Sequence, residues 1–286
     1  PEAVPGEDIP ALNADQRSAF KAAETSSAAA ERLTILVVED NDDMRSFIRS
    51  ILSGRYNVAE ARNGEEALKV LANREIDFII SDLMMPVMDG MELSRRVKER
   101  FDISHIPFLM LTAKTSRESR LEGYRTGVDE YILKPFDEEL LLARIENIIA
   151  NRRRQQESFA QGKMQVEQLN IDEDSRDKKF MDQVMKVVRE NYRNSYFEIG
   201  DFAELLGVSR SLLNKKLQNL TGQSAGQLLR TFRLNTARDL LLRNRTTRSM
   251  NISEIAYEVG FNDSKYFTRC FTKHFSVTPS SMLNDA

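Results

Sequence analysis

The sequence predicts two folded units: an α/β unit built on a parallel, doubly wound sheet and, after it, an all-α unit carrying two helix-turn-helix motifs. Three observations predict this. Between Leu33 and residue 150, five short apolar runs alternate with amphipathic helical stretches, the pattern of parallel strands joined by crossover helices. From residue 176 onward the periodicity is helical with almost no strand signal, and one glycine-turn pattern recurs at an offset of 53 residues. Charge divides at the same place. Residues 33 to 150 hold 16 Lys+Arg against 22 Asp+Glu, whereas residues 176 to 286 hold 18 against 11, so only the second half suits a polyanion.

Length and composition fit that division. A chain of 286 residues is long enough for two domains, and 41% hydrophobic with 30% charged residues reads as globular. No apolar run approaches the roughly 18 residues that span a bilayer, and the N-terminus lacks a signal pattern. A cytoplasmic chain without membrane contact is expected. Its single cysteine, Cys270, excludes an internal disulfide. The first residue is Pro1 rather than Met, which predicts a segment of a longer polypeptide. Residues 1–32, with Pro1, Pro5, Gly6 and Pro10 before an Ala-rich stretch, read as a linker or tail.

Strand one is Thr34 to Val38, ending in Glu39 and Asp40, and a helix follows from Asp43 to Leu52. Strand two lies near Asn57 to Ala61, with a helix over Glu65 to Ala72. Strand three is the stretch around which the unit is organised. In DFIISDLMMPVMDG, residues 77 to 90, an unalternated apolar run delivers Asp82 to its end before Pro86 and Gly90 break the chain. A carboxylate there either serves chemistry or caps a loop. A helix from Glu92 to Arg100 leads to strand four, Pro107 to Leu111, ending at Thr112. Another helix, Glu118 to Arg125, precedes strand five, Glu130 to Leu133, which ends at Lys134. A last helix runs from Glu138 to about Ile149, and Arg152, Arg153 and Arg154 extend it as a solvated end.

Glu39, Asp40, Asp82, Thr112 and Lys134 thus fall at the carboxyl ends of different strands, where open α/β sheets bind ligands. Three carboxylates in one crevice repel unless a cation joins them, and Mg2+ prefers such oxygen ligands. A lysine and a hydroxyl opposite supply donors for an anion. The combination describes a phosphoryl site in which Asp82 is the nucleophile, Mg2+ and Lys134 neutralise the oxygens, and Thr112 hydrogen-bonds one of them.

Residues 33–150 resemble the receiver domain of two-component response regulators, a flavodoxin-like fold, through VVEDN, SDLMMPVMDG, LTAK and YILKPF. The resemblance implies a histidine kinase that phosphorylates Asp82. It also implies Met84 as a metal ligand through its backbone carbonyl, and Thr112 and Tyr131 as switch residues. Neither Met84 nor Lys114 can orient an attacking water, so slow loss of the phosphoryl group is expected.

Residues 151–175 read as the joint. The basic half, residues 176–286, opens with a helix from Lys178 to Asn191 that places Phe180, Val184 and Val187 or Val188 on one face. A short helix, Gly200 to Leu206, then stops at Gly207, and Ser209 caps a second helix with Leu213, Leu217 and Leu220 inward. The pattern repeats at Ile252 to Val259, Gly260, a cap at Asn262 or Asp263, and a helix with Phe267, Cys270, Phe271 and Phe275 at core spacing. Gln227 to Arg243 reads as one connecting helix. Its Leu228, Phe232 and Leu241 point inward and Arg230, Arg233 and Arg238 outward, and it holds the motifs at the separation of successive major grooves.

This half resembles the DNA-binding domain of AraC/XylS-type transcription factors, through LGVSRSLLNKKL, RLNTARDLLL and IAYEVGFNDSKYFTRCFTKHFSVTPS. Ser276 departs from that pattern, where a glycine is common. Base contacts are expected from Arg210, Ser211, Asn214 and Lys215 in the first recognition helix and Ser264, Lys265, Thr268 and Arg269 in the second, though each could instead touch phosphate. The two resemblances together imply a phosphorylation-controlled regulator of transcription. It would meet promoter DNA through two major-groove contacts per monomer, engage RNA polymerase and form a homodimer on phosphorylation. Two other readings stay open: the cytoplasmic tail of a membrane hybrid sensor histidine kinase, and a phosphorelay intermediate using its basic half for protein contacts.

Overall fold

Five parallel strands form the sheet that positions the N-terminal site: β1 (Thr34–Val38), β2 (Asn57–Ala61), β3 (Phe78–Asp82), β4 (Phe108–Thr112) and β5 (Glu130–Leu133), in the order β2-β1-β3-β4-β5. The computed structural model describes residues 32–113, 127–161, 175–247 and 249–284. The expected tail up to residue 31, the helix Glu118 to Arg125, Lys114 and residues 162 to 174 of the joint lie outside the described residues.

The three inner strands, β1, β3 and β4, alternate their side chains between two apolar layers. Ile35, Val37, Phe78, Ile80, Leu109 and Leu111 pack with helices α1 (Asp42–Leu52) and α4 (Glu138–Ala160). Leu36, Val38, Ile79, Phe108 and Met110 pack on the other face with α2 (Gly64–Asn73) and α3 (Gly90–Glu99). This is the flavodoxin-like doubly wound fold. Burial on both faces explains why β3 and β4 are apolar without alternation. Each flanking helix starts on a side-chain cap: Asn41, Asn63, Asp89 and Asp137 accept from backbone N–H groups one turn on.

Helix α4 passes Ile149 through the arginine run expected to extend it and continues to Ala160. Gln155, Gln156 and Glu157 sustain the helix, and Phe159 then finds a core among residues of the C-terminal half. The arginine run is not uniformly a solvated end either, because Arg152 is half-buried and donates to the carbonyl of His105.

The C-terminal half is all helical: α5 (Arg176–Asn191), α6 (Ile199–Leu205), α7 (Arg210–Thr221), α8 (Ala225–Thr247), α9 (Ile252–Glu258), α10 (Ser264–Phe275) and α11 (Pro279–Asn284). Two cores divide it. Phe180, Val184, Phe202, Leu213 and Leu217 fill the first, Ile255, Phe267 and Phe271 the second, and α8 walls both with Leu228 and Leu229 in one and Leu234 and Leu241 in the other.

The repeat holds at the level of atoms. Glu198 with Asp201, and Asn251 with Glu254, make matching capping boxes. Val208 N–H donates to Ala203 O, and Phe261 N–H to Ala256 O, across Gly207 and Gly260, each in the left-handed region. Asp263 is the cap of α10, accepting from Tyr266 N–H (2.7 Å). The second turn is therefore one residue longer than the first, where Ser209 caps α7. Of the arginines expected outside α8, Arg233 is tied inward: its guanidinium donates to Tyr192 O and Asn194 O, both at 2.7 Å.

Candidate functional site

Strands β1 and β3 are neighbours from which the chain winds in opposite directions, so a crevice opens at their carboxyl ends. Glu39, Asp40 and Asp82 meet there, with carboxylate oxygens that all lie within 4.8 Å of one another. Asp82 is 9% exposed and Glu39 2%. Lys134, delivered by the end of β5, places Nζ 2.7 Å from Glu39 Oε2 and 2.9 Å from Asp82 Oδ1. The Leu83 N–H donates to the same Asp82 Oδ1 at 2.9 Å.

These charges bias one another. Burial raises the Glu39 carboxyl above its ordinary range, the hydrogen bond from Lys134 opposes the rise, and the nearby Asp82 adds to it. For Lys134 burial works against the charge, but its contacts with Glu39 and Asp82 outweigh burial and hold the ammonium above the ordinary lysine value. The carboxylates are an all-oxygen donor set at the spacing a small hard cation needs, and they fit one.

Thr112 is buried at the end of β4, one strand from Asp82, and its carbonyl accepts from Lys134 N–H (2.8 Å). Tyr131 lies part-buried against the α3 side of the sheet, with its hydroxyl 4.0 Å from Met91 Sδ. Met84 is 61% exposed beside the crevice. Two supports were not expected from the sequence. Arg45 donates to the Glu39 carbonyl (2.7 Å) and so fixes the acidic turn. Gly90 donates to Leu83 O (3.0 Å), and any Cβ there would overlap the Asp82 carbonyl oxygen. Gly90 was legible only as a chain break.

The eight expected DNA-contact residues separate into two groups. In α7, Arg210 and Ser211 are exposed, and Arg210 lies over Gly200 of the preceding helix. Asn214 is half-buried and commits its Oδ1 to the Ala225 N–H (2.9 Å), which fixes the start of α8. Lys215 is paired with Glu75 of the N-terminal half at 2.6 Å. In α10, Lys265 and Arg269 are exposed, Ser264 and Thr268 are half-buried, and Thr268 donates to the Ser264 carbonyl. Lys273, one turn beyond, is exposed in line with Lys265 and Arg269, so a basic stripe runs along the helix at i, i+4 and i+8. That spacing was present in the sequence.

A response regulator receiver domain family model matches residues 35–146, and a helix-turn-helix domain family model matches residues 202–285. Among curated relatives, Histidine kinase P4 of Formosa agariphila is 39% identical over 254 residues, which are 89% of this chain and 18% of that protein. Sensor histidine kinase TmoS of Ectopseudomonas mendocina is 40% identical over 133 residues, 46% of this chain and 14% of that protein. Chemotaxis protein CheY of Pseudomonas aeruginosa is 38% identical over 118 residues, which cover 41% of this chain and 95% of CheY. The chain thus spans less than a fifth of the two kinases it matches, but nearly all of CheY. With the sheet order, the acidic crevice and a matching relative covered almost end to end, the chain belongs to the response regulator receiver family, with a helix-turn-helix domain following in the same polypeptide.

Proposed function

We propose that the chain is a phosphorylation-controlled DNA-binding regulator in which Asp82 accepts a phosphoryl group from a histidine kinase and the helical half binds promoter DNA. The single observation that carries this is the Lys134 ammonium lying 2.7 Å from Glu39 and 2.9 Å from Asp82 at the carboxyl edge of the sheet. In the transfer an Asp82 carboxylate oxygen attacks the phosphorus of a phosphohistidine. The O–P bond forms as the N–P bond breaks, and the imidazole nitrogen leaves with the electron pair and takes up a proton. Glu39, Asp40 and Asp82, with the Met84 carbonyl, would hold a Mg2+, and its charge would neutralise phosphoryl oxygens. Lys134 follows the incoming oxygens, Thr112 donates to one of them, and the Leu83 N–H steadies the carboxylate. The switch roles of Thr112 and Tyr131 belong to the same reading.

DNA contact is assigned to Arg210, Ser211, Asn214 and Lys215 in α7 and to Ser264, Lys265, Thr268 and Arg269 in α10. The exposed basic stripe of α10 supports the second set most directly. The test is phosphoryl uptake from acetyl phosphate with Mg2+. The unaltered chain takes up label at Asp82, and Asp82→Asn does not; equal labelling of the two ends the reading.

A second reading is favoured by the relative Histidine kinase P4, matched over 89% of this chain. In it this chain is the output portion of a longer histidine kinase polypeptide and receives its phosphoryl group within that polypeptide. Reading the codons upstream of Pro1 distinguishes the two.

A further inference from the structure

The two halves meet along a seam at the amino ends of β3 and β4, the sheet edge opposite the acidic crevice. Lys216 of α7 is fully buried there. Its Nζ donates to the Phe101 carbonyl and to Ser104 Oγ, both at 2.7 Å, and pairs with Asp177 Oδ1 of α5 at 2.6 Å. That cluster balances its own charge. The cleft beside it does not.

The cleft encloses about 820 Å³ between α7 on one side and, on the other, α4 and the receiver segments around Glu75 and His105. Its three carboxylates are already engaged: Glu75 pairs with Lys215 at 2.6 Å, Asp102 with Arg100 at 2.6 Å, and Asp77 accepts from the Thr34 N–H at 2.8 Å. Three guanidiniums are left over. Arg74, Arg152 and Arg153 line the same cleft, and none of them forms an ion pair among the described residues. Arg152 is half-buried and spends one of its five donors on the His105 carbonyl. Burial holds its guanidinium below the ordinary arginine value, and the distant Asp129 and Asp177 oppose this only in part.

His105 adds an orphan donor to the same lining. Its side chain is buried, and burial among Lys216, Arg152, Lys215 and Lys98 keeps the ring neutral. Asn219 Nδ2 donates to Nε2 at 2.8 Å, so the one ring hydrogen sits on Nδ1. That buried N–H meets no acceptor among the described residues.

An uncompensated buried cation and an unsatisfied buried donor are both costly, and both are relieved by an acceptor that carries negative charge. Guanidinium forks match phosphate oxygens two at a time, where an ammonium offers only a point charge. The remaining lining suits an organic body: Leu71, Ile103, Ile106 and Leu212 are apolar, and Asn73 and Gln218 carry amides. The volume also falls within the roughly 300–1,000 Å³ of small-molecule sites.

We propose that this cleft binds a phosphate monoester of a small organic molecule, its phosphate held by Arg152 with Arg74 and Arg153 and one oxygen accepting from His105 Nδ1. The site lies at the sheet edge opposite Asp82 and does not depend on the role of that residue.

The test is isothermal titration calorimetry of the full chain without Mg2+, using glucose 6-phosphate, adenosine 5′-monophosphate, inorganic phosphate and citrate as probes. At least one of the two esters binds with a Kd below about 1 mM, and inorganic phosphate and citrate bind more weakly. Arg152→Gln keeps a donor for the His105 carbonyl but loses the charged fork, and it weakens the bound ester about tenfold. Arg154→Gln, exposed and outside the lining, leaves binding unchanged. Where Arg152→Gln does not fold, the exposed pair Arg74→Gln with Arg153→Gln decides. The proposal is overturned if neither ester binds, or if the deciding variant binds as tightly as the unaltered chain. Citrate binding as tightly as the better ester overturns the phosphate assignment, and inorganic phosphate doing so overturns the organic one.

Discussion

The two helix-turn-helix copies share caps, glycine turns and core positions, yet they face different surroundings. Along the recognition helices, Ser211, Lys215 and Asn219 of α7 correspond to Lys265, Arg269 and Lys273 of α10. The first set lines a cleft against the receiver, where Ser211 and Lys215 are exposed and Asn219 is half-buried, and the second set is exposed throughout. Lys216, buried in the first copy, corresponds to Cys270, half-buried in the second. The same local grammar thus builds one motif that leans on another domain and one that stands alone. A motif identifies a recognition helix without saying whether it is available.

The largest break of this comparison is at the buried lysine. Lys216→Ala removes one partner from a buried pair and leaves Asp177 uncompensated, a loss of about 3–5 kcal/mol. Cys270→Ala, at the matching position, removes only a half-buried thiol and is expected to cost about 1 kcal/mol. Urea unfolding of the two variants measures the contrast. Equal losses would mean that the Lys216 cluster carries no special share of the stability.

The paired glycine turns give the next contrast. Gly207 and Gly260 both have positive φ, so alanine at either is strained by about 1–2 kcal/mol. A Cβ at Gly207 meets nothing within 4 Å, whereas at Gly260 it would overlap the Tyr192 carbonyl, against which Arg233 also packs. Gly260→Ala is therefore expected to lose at least about 2 kcal/mol more than Gly207→Ala. Thermal unfolding separates them.

Acid sharpens the difference through the histidines. Burial, with Lys216, Arg152, Lys215 and Lys98 around it, pushes His105 down to about 2. A group whose folded value is depressed contributes stability that is complete above its unfolded value near 6.5 and is lost as pH falls. About 2 kcal/mol should disappear between pH 6.5 and about pH 5, since each unit is worth 1.36 kcal/mol. His105→Asn flattens that slope. His274 of α10 is lowered in the same direction, by burial and then by Arg238 and Arg230, and His274→Asn tests whether the second copy contributes as well.

Much of this was legible in the sequence, for identifiable reasons. The strands were readable because a sheet covered on both faces leaves unalternated apolar runs such as Phe78 to Ile80. The convergence of Glu39, Asp40, Asp82 and Lys134 followed from parallel topology alone, which sends every strand end to one edge. The seam was not legible. Lys216 reads as another basic residue on a recognition helix and His105 as an isolated histidine, because nothing local records a partner more than a hundred residues away. The last turn of helix α4 was not foreseen for the same reason: Phe159 is an apolar residue in a polar stretch until the second core is there to receive it.

The smallest contrast lies at the ends of the recognition helices. Helix α7 ends on Gly222 at φ 70°, where a glycine carries no penalty, and α10 ends on Ser276 at φ 60°, in the same left-handed region but with a Cβ. The Ser276 N–H donates to the Thr272 carbonyl (2.8 Å) just as Gly222 N–H donates to Gln218 (2.9 Å). The caps are equivalent in hydrogen bonding and differ only in backbone strain. Ser276→Gly relieves that strain against a more flexible unfolded chain, for a net gain of about 1 kcal/mol. Gly222→Ser, the reciprocal change, should lose a similar amount, and more if the serine Cβ presses on the Gln156 side chain 3.1 Å away. Because Gln156 belongs to α4, the helix that enters from the receiver, only the first cap can report on that helix. A loss at Gly222 matching the gain at Ser276 would show α4 yielding there; a larger one would show it held rigid.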